Sequence, residues 1–184
     1  MIRLRIVPTP VERTSAFVAV SGFAEEEIPL RGLAGRLDWL LGGEASRLIL
    51  EGRLDGSWRS QALLASRGRL GARYVLFAGL GKIRGLRLSV LSARMADLLG
   101  RLVRTSAHSL AFPILPAAGA SAGFGAVATE MLNGALRGLA DCPIDVDLAV
   151  CEPDPQRYGE LIRAAEGVVF GSRAECGISA EIAL

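Results

Sequence analysis

The chain is poor in the residues that most catalytic and metal chemistry requires. Its 184 residues include one histidine, His108, and one lysine, Lys82. One histidine and scattered carboxylates give no recognisable metal shell. The three cysteines, Cys142, Cys151 and Cys176, are an odd number without C-x-x-C spacing. That excludes an evident disulfide framework or thiolate zinc site and fits a reducing, cytoplasmic compartment. Aromatic residues make up 5%, and Trp39 and Trp58 are too isolated to form a stacking platform for bases. Core or interface packing is their expected role. Charge of one sign is lacking as well: the net charge is +2 and the arginines are spread along the chain, which speaks against nucleic acid as a partner. No apolar run follows Met1 before Pro8 and Pro10, so no signal peptide is expected. Thr105 to Thr129 carries no formal charge, but Pro113, Pro116 and glycines interrupt it. A buried strand, loop and helix explain it better than a membrane span.

What is present is apolar surface. Hydrophobic residues make up 51% and charged residues 22%, with a mean hydropathy of +0.36. A globular chain of this kind has a sheet buried on both faces, or apolar surface covered by a partner, or both. Strands are expected at Arg3 to Val7, Ser15 to Ser21, Gln61 to Ala65, Arg73 to Ala78, Ser109 to Leu115 and Asp147 to Cys151. Leu33, Leu37, Leu40 and Leu41 mark a helix that Gly42-Gly43 ends, and a short helix covers Glu44 to Leu50. The clearest helix has an apolar stripe of Leu88, Leu91, Met95, Leu98 and Leu102. Another is outlined by Phe124, Val127, Met131, Leu132, Ala135 and Leu139. Gly134 and Gly138 lie inside it, a costly choice unless another backbone packs close by. Asp154-Pro155 caps a helix through Glu166. From Gly167 a short strand and a loose end are expected. Glu25 to Glu27 reads as a solvated loop. Strands alternating with helices imply one α/β domain over residues 1–184: three layers, α/β/α, around a mostly parallel mixed sheet.

Two loops carry motifs. Gly119-Ala120-Ser121-Ala122-Gly123 matches G-x-S-x-G between a strand and a helix. A serine nucleophile needs a base, and the only histidine lies at the start of the preceding strand, about 20 Å of extended chain away. The motif therefore fails as a hydrolase site, and His108 reads as structural or superficial. As a ligand loop it is better placed. Gly119, Ser121, Gly123, Phe124 and Gly125 follow a strand and open a helix, where free amides attract anions. Gly79, Gly81 and Lys82 form a second candidate loop. It lacks the acidic ribose partner of a dinucleotide site, and Ile83 stands where a P-loop needs Ser or Thr.

The order of these segments is similar to a known family. Ala16 to Ser21 (AFVAVS), Pro29 to Gly43 (PLRGLAGRLDWLLGG), Leu48 to Gly56 (LILEGRLDG) and Arg73 to Lys82 (RYVLFAGLGK) together resemble the amino-terminal domain of leucine aminopeptidases, the M17 family. That resemblance implies a macro-domain-like fold, and Ser109 to Cys151 resembles the second half of macro domains. It also implies that metals and peptide bond belong to a separate carboxyl-terminal domain, whose NTDAEGR segment these 184 residues do not contain. No catalytic or metal-ligating residue carries over. The expected role is a non-catalytic, stand-alone module acting by self-association or by binding a protein partner. The alternative is a macro-domain-like binder of ADP-ribose or another nucleotide or phosphate ligand, with no other cofactor. A third reading is the regulatory half of a separately encoded aminopeptidase. The macro-domain pattern has an Asp where Ser15 stands and an Asn-rich loop where Ser21-Gly22-Phe23 stands.

Overall fold

The computed structural model describes residues 1–83, 87–105, 107–115, 123–176 and 180–183, with side chains through residue 171. Along the chain run β1 (Ile2–Val7), β2 (Ala16–Phe23), α1 (Gly32–Leu40), α2 (Glu44–Leu50), β3 (Gln61–Ala65), β4 (Ala72–Gly79), α3 (Leu88–Val103), β5 (Ser109–Pro113), α4 (Phe124–Leu139), β6 (Val146–Cys151), α5 (Pro155–Cys176) and β7 (Ala180–Ala183). A single 3-10 turn at Val11–Arg13 joins β1 to β2. The seven strands form one sheet in the order β3-β4-β2-β5-β6-β1-β7. All neighbours are parallel except the edge strand β3, which is antiparallel to β4.

Alternation along the strands divides the core between two layers. Leu4, Ile6, Val18, Val20, Leu110, Phe112, Leu148 and Val150 face α3, α4 and α5 in the largest cluster. The intervening residues face the other way. Phe23, Val75 and Phe77 pack against α1 and α2, whereas Ala19, Ala111 and Ala149 line up abreast across β2, β5 and β6 beneath Val11. Small side chains there let a single 3-10 turn cover the middle of the sheet. This arrangement is the three-layer α/β/α fold that strand–helix alternation predicts.

The two helical glycines find the backbone that the sequence demands of them. A Cβ on Gly134 would lie 2.2 Å from the Ser92 carbonyl oxygen, and one on Gly138 would lie 2.3 Å from that of Ala96. Both contacts are with α3. The carboxyl end differs from expectation. The last helix does not fade after Glu166 but runs ten residues further to Cys176, because Val168 and Val169 are buried against the main cluster. Burial there outweighs the poor propensity of Gly167 and Gly171. The short strand expected near the end does form, as β7 at Ala180–Ala183, where it pairs in parallel with β1.

Trp39 is also corrected in part. It is 79% exposed on α1, so it takes no part in the core. Trp58 is half-buried, with the Arg94 guanidinium 5.1 Å above its ring. Among the described residues, no helix is long and apolar enough to cross a membrane.

Candidate functional site

Because β1, β2, β4, β5 and β6 run parallel, their carboxyl ends share one edge of the sheet, and the loops that open α1, α3, α4 and α5 leave from it. Such an edge is where open α/β sheets place ligands. Helix N-termini carry partial positive charge and unsatisfied amides, so their capping decides whether the edge can take an anion.

The helices differ in this respect. α5 satisfies itself: the Asp154 carboxylate accepts the amides of Gln156 at 2.9 Å and Arg157 at 3.5 Å. The buried Glu152 accepts the amide of Asp154 at 3.0 Å. By contrast, α1, α3 and α4 have no side-chain cap among the described residues and no acidic residue in the first turn. In α4 the N-cap is Gly123, exposed and with open space around its α-carbon. The ring of Phe124 lies 5.6 Å beneath the Arg157 guanidinium, and the nearest atom to a Cβ on Gly125 would be Glu160 Oε2, 3.7 Å away. Gly123, Phe124 and Gly125 thus offer amides, an aromatic edge and a neighbouring cation. Gly119 and Ser121, the other members of this loop, lie outside the described residues.

Different packing governs the second loop. A Cβ on Gly79 would lie 2.1 Å from the Ser57 carbonyl oxygen, and Gly81 has a φ of +68°. The amides of Gly79, Leu80 and Gly81 donate to Ser60, Phe23 and Gly56 carbonyls at 2.7, 2.9 and 2.9 Å. Arg94 donates to the Leu80 carbonyl. These glycines serve the close approach of chain segments, and the exposed Lys82 ammonium is what this loop can offer a ligand. Of the acidic run, Glu27 accepts the Ala24 amide at 2.8 Å and Glu26 accepts that of Ile83 at 3.4 Å, so two of the three carboxylates brace this edge.

Cys151, at the end of β6, is buried, and burial pushes its thiol up to about 11, with the Thr14 hydroxyl 3.3 Å away. His108 lies at the opposite, amino end of β5, exposed and stacked 5.7 Å from Phe17. Among the described residues no three His, Cys, Asp or Glu side chains gather to hold a metal. Sequence reasoning found the Asp154 cap but missed Glu152 beside it and Arg157 as the neighbour of Phe124. The Asp-Pro step carried the signal for the cap, and nothing local carried one for Arg157.

Neither a family model nor a curated protein matches the sequence. Solved structures do match the fold. A variant of the Oceanobacillus iheyensis macrodomain aligns with a TM-score of 0.69 and 14% identity, over 91% of this chain and 93% of that one. Another variant, solved with ADPR, aligns at 0.66 and 14% identity over 91% and 94%. The macrodomain of Mycobacterium tuberculosis DarG aligns at 0.60 and 14% identity over 82% and 98%. The class is therefore set by architecture: this chain has a macrodomain-like α/β/α fold. At such identities the likeness concerns the fold alone. The macro-domain part of the expected resemblance holds, and nothing in these comparisons supports an aminopeptidase amino-terminal domain.

Proposed function

We propose that the domain binds an ADP-ribose-type ligand, a nucleotide diphosphate, at the carboxyl edge of its sheet. The observation that carries this reading is the N-terminus of α4 at Gly123, which no side chain caps among the described residues, beside a neighbouring helix that caps itself. A diphosphate would accept the amides of Phe124 and Gly125, since those of Ala126 and Val127 already donate to the Gly123 carbonyl at 3.1 and 3.3 Å, with the Phe124 ring and Arg157 flanking it. Two neighbours in the fold, both from Oceanobacillus iheyensis, were solved with ADPR and with ADP, which supports the choice of ligand. The role is binding, without catalysis.

The test pairs calorimetry with one substitution. Wild-type protein is titrated with ADP-ribose, ADP and AMP, then Gly123→Asp with the same three. Aspartate at an N-cap supplies the first-turn amides with their own carboxylate and changes helix stability by only a few tenths of a kcal/mol relative to glycine, about 0.3. Binding by the wild type and its loss in a variant of unchanged melting temperature are expected. No heat from any of the three with the wild type sinks the reading. Self-association or a protein partner is the second reading, supported by the exposure of Trp39 at 79%, Leu50 at 88% and Phe170 at 81%. Light scattering that returns a monomer at all concentrations counts against self-association.

A further inference from the structure

At the opposite, amino edge of the sheet, where Ala16 pairs with Ala72 at the starts of β2 and β4, a groove of about 480 Å³ opens beside the β3–β4 turn. Its polar wall is Ser66, Arg67 and Arg73, and its apolar floor includes Ala16, Leu70 and Ala72. None of these residues belongs to the carboxyl-edge site.

Two features distinguish this groove from ordinary surface. The first is Arg73. Its guanidinium lies 5.9 Å over Phe17 and 5.6 Å over Tyr74, rings that meet edge to face at 5.4 Å. The side chain is exposed and makes no ion pair among the described residues. Cation–π contact with two rings inclined at 62° holds the charged end of the side chain beside the groove, with N–H groups left for an acceptor. The second feature is the turn. Arg67 has a φ of +52° and Gly68 one of +79°, and the Arg69 amide donates to the Ser66 carbonyl at 3.0 Å. This is a hairpin turn in which both central residues are left-handed, where asparagine or glycine is the relaxed choice at the first. Arginine there is strained, and strain of this kind gathers at ligand clamps. Arg67 is itself neutralised by Glu44 at 3.3 Å, so Arg73 is the cation of the groove left without a counter-charge.

We infer that this groove is a second binding site, for a small organic anion. Its terminal phosphate or carboxylate sits on the Arg73 guanidinium, and its apolar body lies against Ala16 and Leu70. The claim is independent of the carboxyl-edge ligand.

Nitrogen-edited NMR of the whole chain tests both poles at once, because Gly68 and Gly71 amides report on this groove and Gly123 and Gly125 amides on the other. The probes are phenyl phosphate, benzoate and inorganic phosphate. Saturable shifts at Gly68 and Gly71 are expected with phenyl phosphate or benzoate, and the tighter of the two identifies the anion. Arg73→Gln is expected to weaken that binding by about tenfold or more, the worth of charge-assisted hydrogen bonds. Arg73→Lys, which keeps the charge but not the fork, is expected to weaken it as well. The proposal fails if no organic probe saturates at Gly68 and Gly71, or if Arg73→Gln binds as tightly as wild type. Equal affinity for inorganic phosphate and phenyl phosphate overturns the role given to the floor. Shifts confined to Gly123 and Gly125 leave the carboxyl-edge reading standing and remove this one.

Discussion

Replacing Gly134 with alanine reverses the usual sign of a helical Gly→Ala change. In an open helix, alanine is worth about 1 kcal/mol over glycine, because it restricts the unfolded chain and shields the backbone. At Gly134 the new methyl group would lie 2.2 Å from the Ser92 carbonyl oxygen and 2.9 Å from the Met95 Cβ. The first of these is fixed backbone, so no rotamer change relieves it. α3 and α4 must separate by about 1 Å, which forfeits a quarter to a half of the dispersion energy in each contact that opens. Leu91, Met95, Leu98, Val127, Met131 and Leu136 belong to the cluster that this separation loosens. Overpacking of this kind costs about 1–3 kcal/mol, so Gly134→Ala is expected to destabilise by roughly 1 kcal/mol, and by about 2 at most, after the propensity gain is subtracted. Gly167→Ala is the control. It lies in α5 with nothing within 4 Å of the added carbon, so a gain of about 0.5–1 kcal/mol is expected. Urea unfolding at constant slope measures both. A Gly134→Ala protein as stable as wild type refutes the close-packing argument, and with it the physical reason for glycine in α4.

Further expectations concern other elements. Asp38, buried in α1, accepts the amides of Ala45 at 2.8 Å and Ser46 at 3.1 Å and the Ser46 hydroxyl at 2.5 Å. Asp38→Ala removes this cap of α2 and leaves buried donors unsatisfied, a loss of about 2–4 kcal/mol by thermal or urea unfolding; a loss below about 0.5 kcal/mol speaks against it. Cys151 has a thiol raised from 9.0 to about 11 by burial. The folded protein holds its proton where the unfolded chain releases it, so this contribution is complete below pH 9 and is lost between pH 9 and about 11. Wild type is expected to lose stability faster than Cys151→Ala over that interval, and parallel curves contradict this. Trp58 lies under Arg94, which also holds the Leu80 carbonyl. Arg94→Ala is expected to change Trp58 fluorescence and to speed exchange of the Gly81 amide, and an unchanged exchange rate argues against the brace.

Much of the secondary structure was legible because it is local. Glu44–Leu50 and Phe124–Leu139 coincide with the expected helices, since an apolar face repeats at helical spacing between clear stops. The alternation of elements sufficed for the parallel three-layer architecture. Gly134 and Gly138 even announced an unseen backbone. Other features were illegible for a common reason. That α5 continues to Cys176 depends on what Val168 and Val169 touch, and that the expected short strand, β7, pairs with β1 depends on the edge β1 offers it. Gly79 and Gly81 look like a ligand loop in one dimension, and only the approach of the Ser57 carbonyl shows what they accommodate.

Composition by itself gave one histidine and three cysteines without C-x-x-C spacing, and periodicity pointed to an α/β fold. Both follow from residue type and spacing, which are properties of the chain in one dimension. The close approach of α3 to Gly134 and Gly138 was decided by tertiary structure, as were the placing of Arg157 over Phe124 and of Arg73 over Phe17. Those outcomes depend on distances between residues far apart in sequence, and only packing sets such distances.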